Sequence, residues 1–170
     1  MILSDRDIVC EIQKNALKII PLADEDIQPC SVDLHLGKEL MTLTGKRIDI
    51  SECTYKLKPN EFILGYVDEY IELPAYLCGQ VDGRSSVARM GISIHQTGGY
   101  IDSGFFGNIT LELYNASDKE FELGWGDSIC QMIFHILSSE SMRPYGSTEL
   151  RSKYQGSKGV VRSKYDRFEG

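Results

Sequence analysis

The sequence predicts a mostly β fold, a sandwich or barrel of jelly-roll type, opened by one helix and closed by a polar tail. Three observations carry that prediction. Ten short runs rich in Val, Ile, Leu, Tyr and Phe follow one another between Ser31 and Ile136. Gly, Pro, Asn or Asp punctuates most of the gaps between them, the pattern of many short strands joined by tight turns. The chain of 170 residues, 42% hydrophobic and 25% charged, is the size and composition of one ordinary globular domain, so 1–170 reads as a single unit.

The first element is helical: "LSDRDIVCEIQKNALKI" spans 3–19, with Ser4 as its cap and Asp5 and Asp7 in the favourable first turn. Ile8, Ile12 and Leu17 fall near one face of it. After Pro21 the periodicity becomes that of strands. These are expected at Ser31–Leu36, Leu40–Leu43, Arg47–Ile50, Phe62–Tyr66, Tyr70–Leu73, Leu77–Val81, Ile92–Gln96, Ile109–Tyr114, Phe121–Leu123 and Ile129–Ile136. "RSSVARMG" between two of them predicts a short helix capped near Arg84 or Ser85. The tail after Pro144 is polar and glycine-punctuated, with five Lys or Arg between Arg151 and Lys164. It is either a frayed terminus or a flexible arm, about 145–170, that orders over an anionic ligand.

Composition narrows the function classes. A net charge of −7 argues against a nucleic-acid partner, though a small phosphorylated ligand needs only a few local cations. No apolar run is long enough to span a bilayer and no charged-then-apolar leader opens the chain, so no membrane partner and a cytoplasmic location are expected. Five cysteines (Cys10, Cys30, Cys53, Cys78, Cys130) are odd in number and scattered, without C-x-x-C spacing, and read as reduced structural thiols. The two Asn-x-Ser/Thr sequons, at Asn108 and Asn115, carry no weight in such a chain.

Three stretches hold candidate chemistry. In "GNITLELYN" (107–115) Glu112 sits in an alternating strand among apolar neighbours; a carboxylate there either faces water or serves a site. "GRSSVAR" (83–89) offers two hydroxyls and two guanidinium groups at a strand-to-helix turn, a phosphate-type cluster or a capped surface helix. "IHQTGGYIDSGFFG" (94–107) places His95, Gln96, Tyr100 and Asp102 around a Gly98-Gly99 turn, where paired glycines permit close backbone approach. Asp102 is a turn residue or a ligand contact, and His95 is a core histidine or a site residue; His35 and His135 have no paired ligand spacing. A catalytic zinc is not expected. Pro29-Cys30 is present, but the H-x-E and second cysteine of the zinc deaminases are not. A Ser hydrolase is disfavoured because no G-x-S-x-G elbow occurs.

Taken together, "QPCSVDLHLG", "DGRSSVARMG", "HQTGGYIDSGFFGNITLELYN", "GDSICQMIF", "RPYG" and "SKYQGSKG" resemble, in order and over nearly the whole chain, the dCTP deaminases of the trimeric dUTPase-like superfamily. The resemblance implies a distorted β-barrel or jelly roll, a homotrimer with sites between subunits, and a C-terminal arm closing over nucleotide. It implies that Glu112 is the general base and acid, where plain dUTPases carry an apolar residue, and that Ser85 and Arg89 join it at the catalytic centre. It implies that Arg84, Ser85 and Ser86 bind phosphate, and that the loop from Gln96 to Asp102, Gly98 included, reads the base through its backbone. In the same way Tyr100 and Asp102 meet the deoxyribose, and Gln131, Tyr145, Lys153 and Tyr154 clamp the triphosphate. Mg²⁺ would ride on those phosphates, dUTP would be product or second substrate, and dTTP a feedback inhibitor. "TGGYIDSGF" is closer to the "TAGWID-GF" pattern of dUMP-forming members than to the "AHRIDPGW" of strict deaminases. Two positions depart from the family pattern: Gly98 replaces an Ala, and Ser157 replaces the second Gln of "KYQGQ". The competing readings are a dUTP diphosphatase without deaminase activity and a non-catalytic nucleotide-binding trimer.

Overall fold

Ser4 begins the first helix as expected. Its side chain accepts from the Asp7 N–H while the Asp7 carboxylate accepts from the Ser4 N–H, a reciprocal cap over α1 (Asp5–Gln13). The helix stops six residues earlier than its apolar spacing implies. Asn15 takes a left-handed φ of 56°, which asparagine tolerates better than most residues, and the chain turns out of the helix. Lys18–Ile20 is then a strand, β1, paired with a later strand and not a last helical turn. Leu17 still reaches the core beside Ile8, so the apolar spacing was read rightly and its backbone wrongly.

The structure, a computed structural model, describes residues 1–165; positions 166–170 of the expected arm lie outside the described residues. A 3₁₀ turn (Asp24–Asp26) leads into β2 (Ile27–Gln28), β3 (Ser31–His35), β4 (Glu39–Met41), β5 (Arg47–Asp49), β6 (Tyr55–Leu57), β7 (Phe62–Tyr66), β8 (Tyr70–Glu72) and β9 (Leu77–Gly83). The short helix α2 (Ser85–Ala88) follows, with Arg84 at its N-cap. The chain ends in β10 (Ile92–Ser93), β11 (Tyr100–Ile101), β12 (Phe106–Gly107), β13 (Thr110–Asn115), β14 (Phe121–Leu123) and β15 (Ser128–Ile136). Each of the ten expected runs contains a strand. Ile92–Gln96 keeps only its first two residues in the sheet, because the chain beyond Ser93 leaves to wrap a side chain of β13. Five strands went unpredicted: β1, β2, β6, β11 and β12. Each is two or three residues long.

Two five-stranded sheets, ordered β10-β13-β7-β4-β5 and β11-β9-β15-β3-β2, carry most of the fold, with a three-stranded β1-β8-β12 sheet and the β6-β14 pair beside them. All pairs are antiparallel, and among the described residues neither large sheet closes into a ring. One apolar core joins them: Leu40, Ile63, Leu111 and Leu113 from the first sheet meet Leu34, Val81, Met132 and Phe134 from the second. Each such buried side chain contributes about 1.5–3 kcal/mol. A second, small cluster decides where the site lies. Met41, Leu64 and Tyr66 on the other face of the first sheet receive Val160 from the tail, which is fully buried there. Among the described residues no helix is long and apolar enough to cross a membrane.

Candidate active site

In β13 the side chains alternate strictly, Leu111, Leu113 and Asn115 buried and Thr110, Glu112 and Tyr114 half-buried. Glu112 therefore points to the face away from the core, opposite Leu64 in the register. That face is not open water. A pocket of about 1190 Å³ lies over it, walled by β7 and β13, by the loop leading to Phe105, and by the tail from Tyr145 to Tyr165. Leu43, Phe62, Leu64, Ile109 and Val161 are among its apolar lining residues. Glu112 and Asp102 are its two carboxylates among the described residues.

The Glu112 carboxylate is held by the segment that left the sheet. The Gln96 N–H donates to Glu112 Oε2 at 3.2 Å, and the Glu112 N–H donates to the Ile94 carbonyl at 3.0 Å. The two glycines of the loop do different work. A Cβ on Gly98 would sit 3.4 and 3.5 Å from the Glu112 oxygens, so this residue lies directly beside the carboxylate. A Cβ on Gly99 would come within 2.7 Å of both the Val81 carbonyl and His95 Nε2. Only glycine fits there, where the Val81 N–H donates to the Gly99 carbonyl at 2.7 Å. His95 thus packs as a half-buried support for the loop; its Nδ1 has no hydrogen-bond partner among the described residues.

Tyr100, Asp102, Tyr145 and Tyr154 line the same pocket as Glu112 and Gly98. The Tyr100 hydroxyl is pushed up to about 12 by its hydrogen bond with the Cys78 side chain, by desolvation and by the nearby Asp102. It is a neutral phenol throughout the physiological range. Tyr145 packs its ring against Phe105 at 6.0 Å, and its hydroxyl accepts from the Tyr154 N–H at 3.0 Å.

The tail is ordered against its own chain. Gln155 spends its whole amide on it, donating to the Gly104 and Tyr145 carbonyls at 2.8 and 3.0 Å and accepting from the Phe106 N–H at 3.1 Å. Asn108 accepts from the Gly159 N–H at 3.0 Å, and Thr110 Oγ1 from the Val161 N–H at 3.2 Å. Ser157 bridges to Gly107, whose φ of 136° and lack of a side chain let the two backbones touch. Sequence reasoning missed Asn108, Thr110, Gln155, Val160 and Arg162. Asn108 carried a readable signal, a polar residue between a glycine and a strand. The partners of the others lie far along the chain, 51 residues away for Thr110 and Gln155 and farther for Val160 and Arg162, and leave no local trace.

The remaining expected residues stand apart from this pocket. Arg84, Ser85, Ser86, Arg89, Gln131 and Lys153 are not part of its lining, and Gln96 contributes through its backbone. Ser85, Ser86 and Arg89 are exposed on and after α2. Arg84 pairs with the nearly buried Asp33 at 3.3 Å, and Ser31 donates to Gln131 Oε1 at 3.3 Å beside them. Burial pushes the Asp33 carboxyl up against the opposing pull of Arg84. Lys153 donates to the Lys164 carbonyl, and Lys164 to the Lys153 carbonyl at 2.6 Å, which ties the two ends of the tail together. One chain therefore presents two separate groups, a carboxylate pocket and a hydroxyl-guanidinium surface. Among the described residues no three His, Cys, Asp or Glu side chains gather as a metal-binding group.

The fold is that of the dUTPase-like class. A structure of 2′-deoxycytidine 5′-triphosphate deaminase from Agrobacterium tumefaciens superposes with a TM-score of 0.69 at 22% identity, over 79% of this chain and 48% of that longer one. A dUTPase from phage phi11 of S. aureus, described with a coordinated structural Mg(II) ion, superposes at 0.51 and 16% identity over 75% of this chain and 94% of its own. The chain belongs to the dCTP deaminase-like family, whose model matches residues 2–137. Among its relatives, a dCTP deaminase, dUMP-forming, of Corynebacterium jeikeium (strain K411) is 39% identical over 184 residues, covering 96% of each protein.

Proposed function

We propose that the chain deaminates dCTP to dUTP and ammonia and carries dUTP on to dUMP and diphosphate, supplying dTTP synthesis in the cytoplasm. The observation that carries this reading is Glu112: a half-buried carboxylate facing a nucleotide-sized pocket, fixed by the Gln96 N–H and flanked by a loop with no side chain at Gly98. Glu112 takes a proton from water as the oxygen adds to C4 of cytosine and delivers that proton to N3. It then takes the proton of the new C4 hydroxyl and passes it to the amino group, so that the C4–N4 bond breaks, ammonia leaves and the C4 carbonyl of uracil remains. A carboxylate held in place and partly shielded from bulk water suits that two-way transfer. Asp102 and Tyr100 meet the deoxyribose, while Tyr145, Tyr154 and Lys153 close the triphosphate end.

The hydroxyl-guanidinium surface completes the site from a second copy. Arg84, Ser85, Ser86, Arg89 and Gln131 of one subunit face the Glu112 pocket of a neighbour, which makes a homotrimer the working unit and 1–170 one domain with 145–170 as its arm. The pocket's two carboxylates are too few for a protein cage but suit Mg²⁺ that arrives on the substrate, as that ion usually does. Bound so, it neutralises charge on the phosphates. dTTP, with the same sugar and triphosphate, competes for the pocket.

The test is incubation with dCTP and Mg²⁺ while ammonia, dUTP, dUMP and diphosphate are followed together. Ammonia, dUMP and diphosphate should appear in equal amounts. Absence of ammonia would overturn the deaminase reading, and ammonia with dUTP alone would remove the second step. Glu112→Gln keeps the acceptor for the Gln96 N–H yet cannot take a proton, and should slow deamination by about 10²–10⁴.

A further inference from the structure

Among the described residues lining the pocket, Arg162 is the one Lys or Arg. It shares the cavity lining with two carboxylates, Asp102 and Glu112, and pairs with neither: among the described residues Arg162 forms no ion pair. Its guanidinium is nonetheless placed. A Cβ on Gly45 would lie 3.3 Å from Arg162 Nη1, 3.5 Å from Cδ and 3.6 Å from Cζ, so the group rests on the bare backbone of the β4–β5 turn. That turn is closed by hydrogen bonds from Gly45 N to the Thr42 carbonyl and from Thr42 N to the Lys46 carbonyl, both 2.9 Å. Two residues before Arg162 in the tail, Val160 is fully buried and pins the segment to the sheet. A cation set in a pocket that is otherwise acidic, without an ion-pair partner among the described residues, is arranged for an anion brought by the ligand.

We propose that Arg162 is a specificity-determining residue that grips the phosphate end of the nucleotide, its planar fork bridging two phosphate oxygens while Gly45 supports it from behind. The proposal rests on the nucleotide reading of this pocket. It also explains how the tail can lack a long amide at Ser157, since a charged donor five residues on reaches the same cavity. A charge-assisted pair of bonds is worth about 1.5–3 kcal/mol, or roughly a ten- to hundredfold change in affinity.

The experiment uses the full chain carrying Glu112→Gln, so that ligand is not consumed, and titrates deoxycytidine, dCMP and dCTP with Mg²⁺ by calorimetry. Arg162 is exposed, so its replacement leaves the folded core untouched. Adding Arg162→Ala should weaken dCTP by about ten- to a hundredfold and leave deoxycytidine within about twofold. Arg162→Lys should recover part of the loss, because an ammonium lacks the fork. Unchanged dCTP affinity in Arg162→Ala would overturn the proposal, and so would an equal loss for deoxycytidine, which marks a structural role. Neither result touches the deaminase reading as long as the wild-type protein releases ammonia from dCTP. If it releases none, both fall.

Discussion

Gly98 and Gly99 are adjacent, yet alanine should act on them with opposite sign. At Gly98 the backbone is outside the left-handed region, and the new Cβ meets only the Glu112 oxygens, at 3.4 and 3.5 Å, an ordinary contact. The substitution removes freedom from the unfolded chain without straining the folded one, which is worth about 0.4–1 kcal/mol. In a protein of this length that raises Tm by about 1–4 °C. At Gly99 the Cβ would lie 2.7 Å from the Val81 carbonyl and from His95 Nε2, and the first of these is backbone that cannot swing away. Overpacking of this kind costs about 1–3 kcal/mol, a fall of roughly 2–12 °C. It also moves the segment that holds the Gln96 N–H on Glu112, so ammonia release should fall with stability, whereas Gly98→Ala should change kcat/KM by less than about threefold. Thermal melts at one fixed protein concentration, read beside ammonia release, decide it. A lower Tm for Gly98→Ala, or both variants moving the same way, would refute the loop geometry on which the site is built.

Three further outcomes follow from other parts of the chain. Gly107→Ala would put a Cβ 2.7 Å from the Ser157 carbonyl and 2.8 Å from its nitrogen at a φ of 136°, so the tail should undock. Limited proteolysis after Lys158 and a raised KM for dCTP would report this. Asn115 is fully buried and holds the Leu57 and Lys119 carbonyls at 2.9 and 2.7 Å and the Ser117 N–H at 2.9 Å; Asn115→Ala removes all three bonds and should cost about 3 kcal/mol in chemical denaturation. The Tyr76 hydroxyl donates to Glu11 at 2.5 Å, holding that carboxyl below its ordinary 4.5, while the bond to Glu11 pushes Tyr76 up to about 12. A depressed carboxyl contributes stability that is lost as pH falls below 4.5, and a raised phenol contributes stability that is lost as pH rises from 10 through about 12. Tyr76→Phe should therefore cost about 1.5 kcal/mol between those limits, and its difference from wild type should shrink outside them in a pH series of melts.

Much of this molecule is legible locally. Ser4 and Asp7 announce the first helix cap, the alternation from Thr110 to Asn115 announces β13, and Arg84 announces the turn into α2, because caps, period and turn chemistry act over a few residues. The sequence motifs, read in order, also pointed to the dCTP deaminase-like family to which the chain belongs. What stayed hidden depends on partners far along the chain. Leu17 looked helical because burial has the same spacing whether a helix or a following strand delivers it, and the Asn15 turn decided between them. Alternation in β13 established that Glu112 turns away from the core, but not what it turns toward. Only the tertiary structure covers that face, with the Gln96–Gly98 loop on one side and the Val160-anchored tail on the other. A strand's own residues set which face a side chain takes; residues fifty positions away decide whether that face is water or a site.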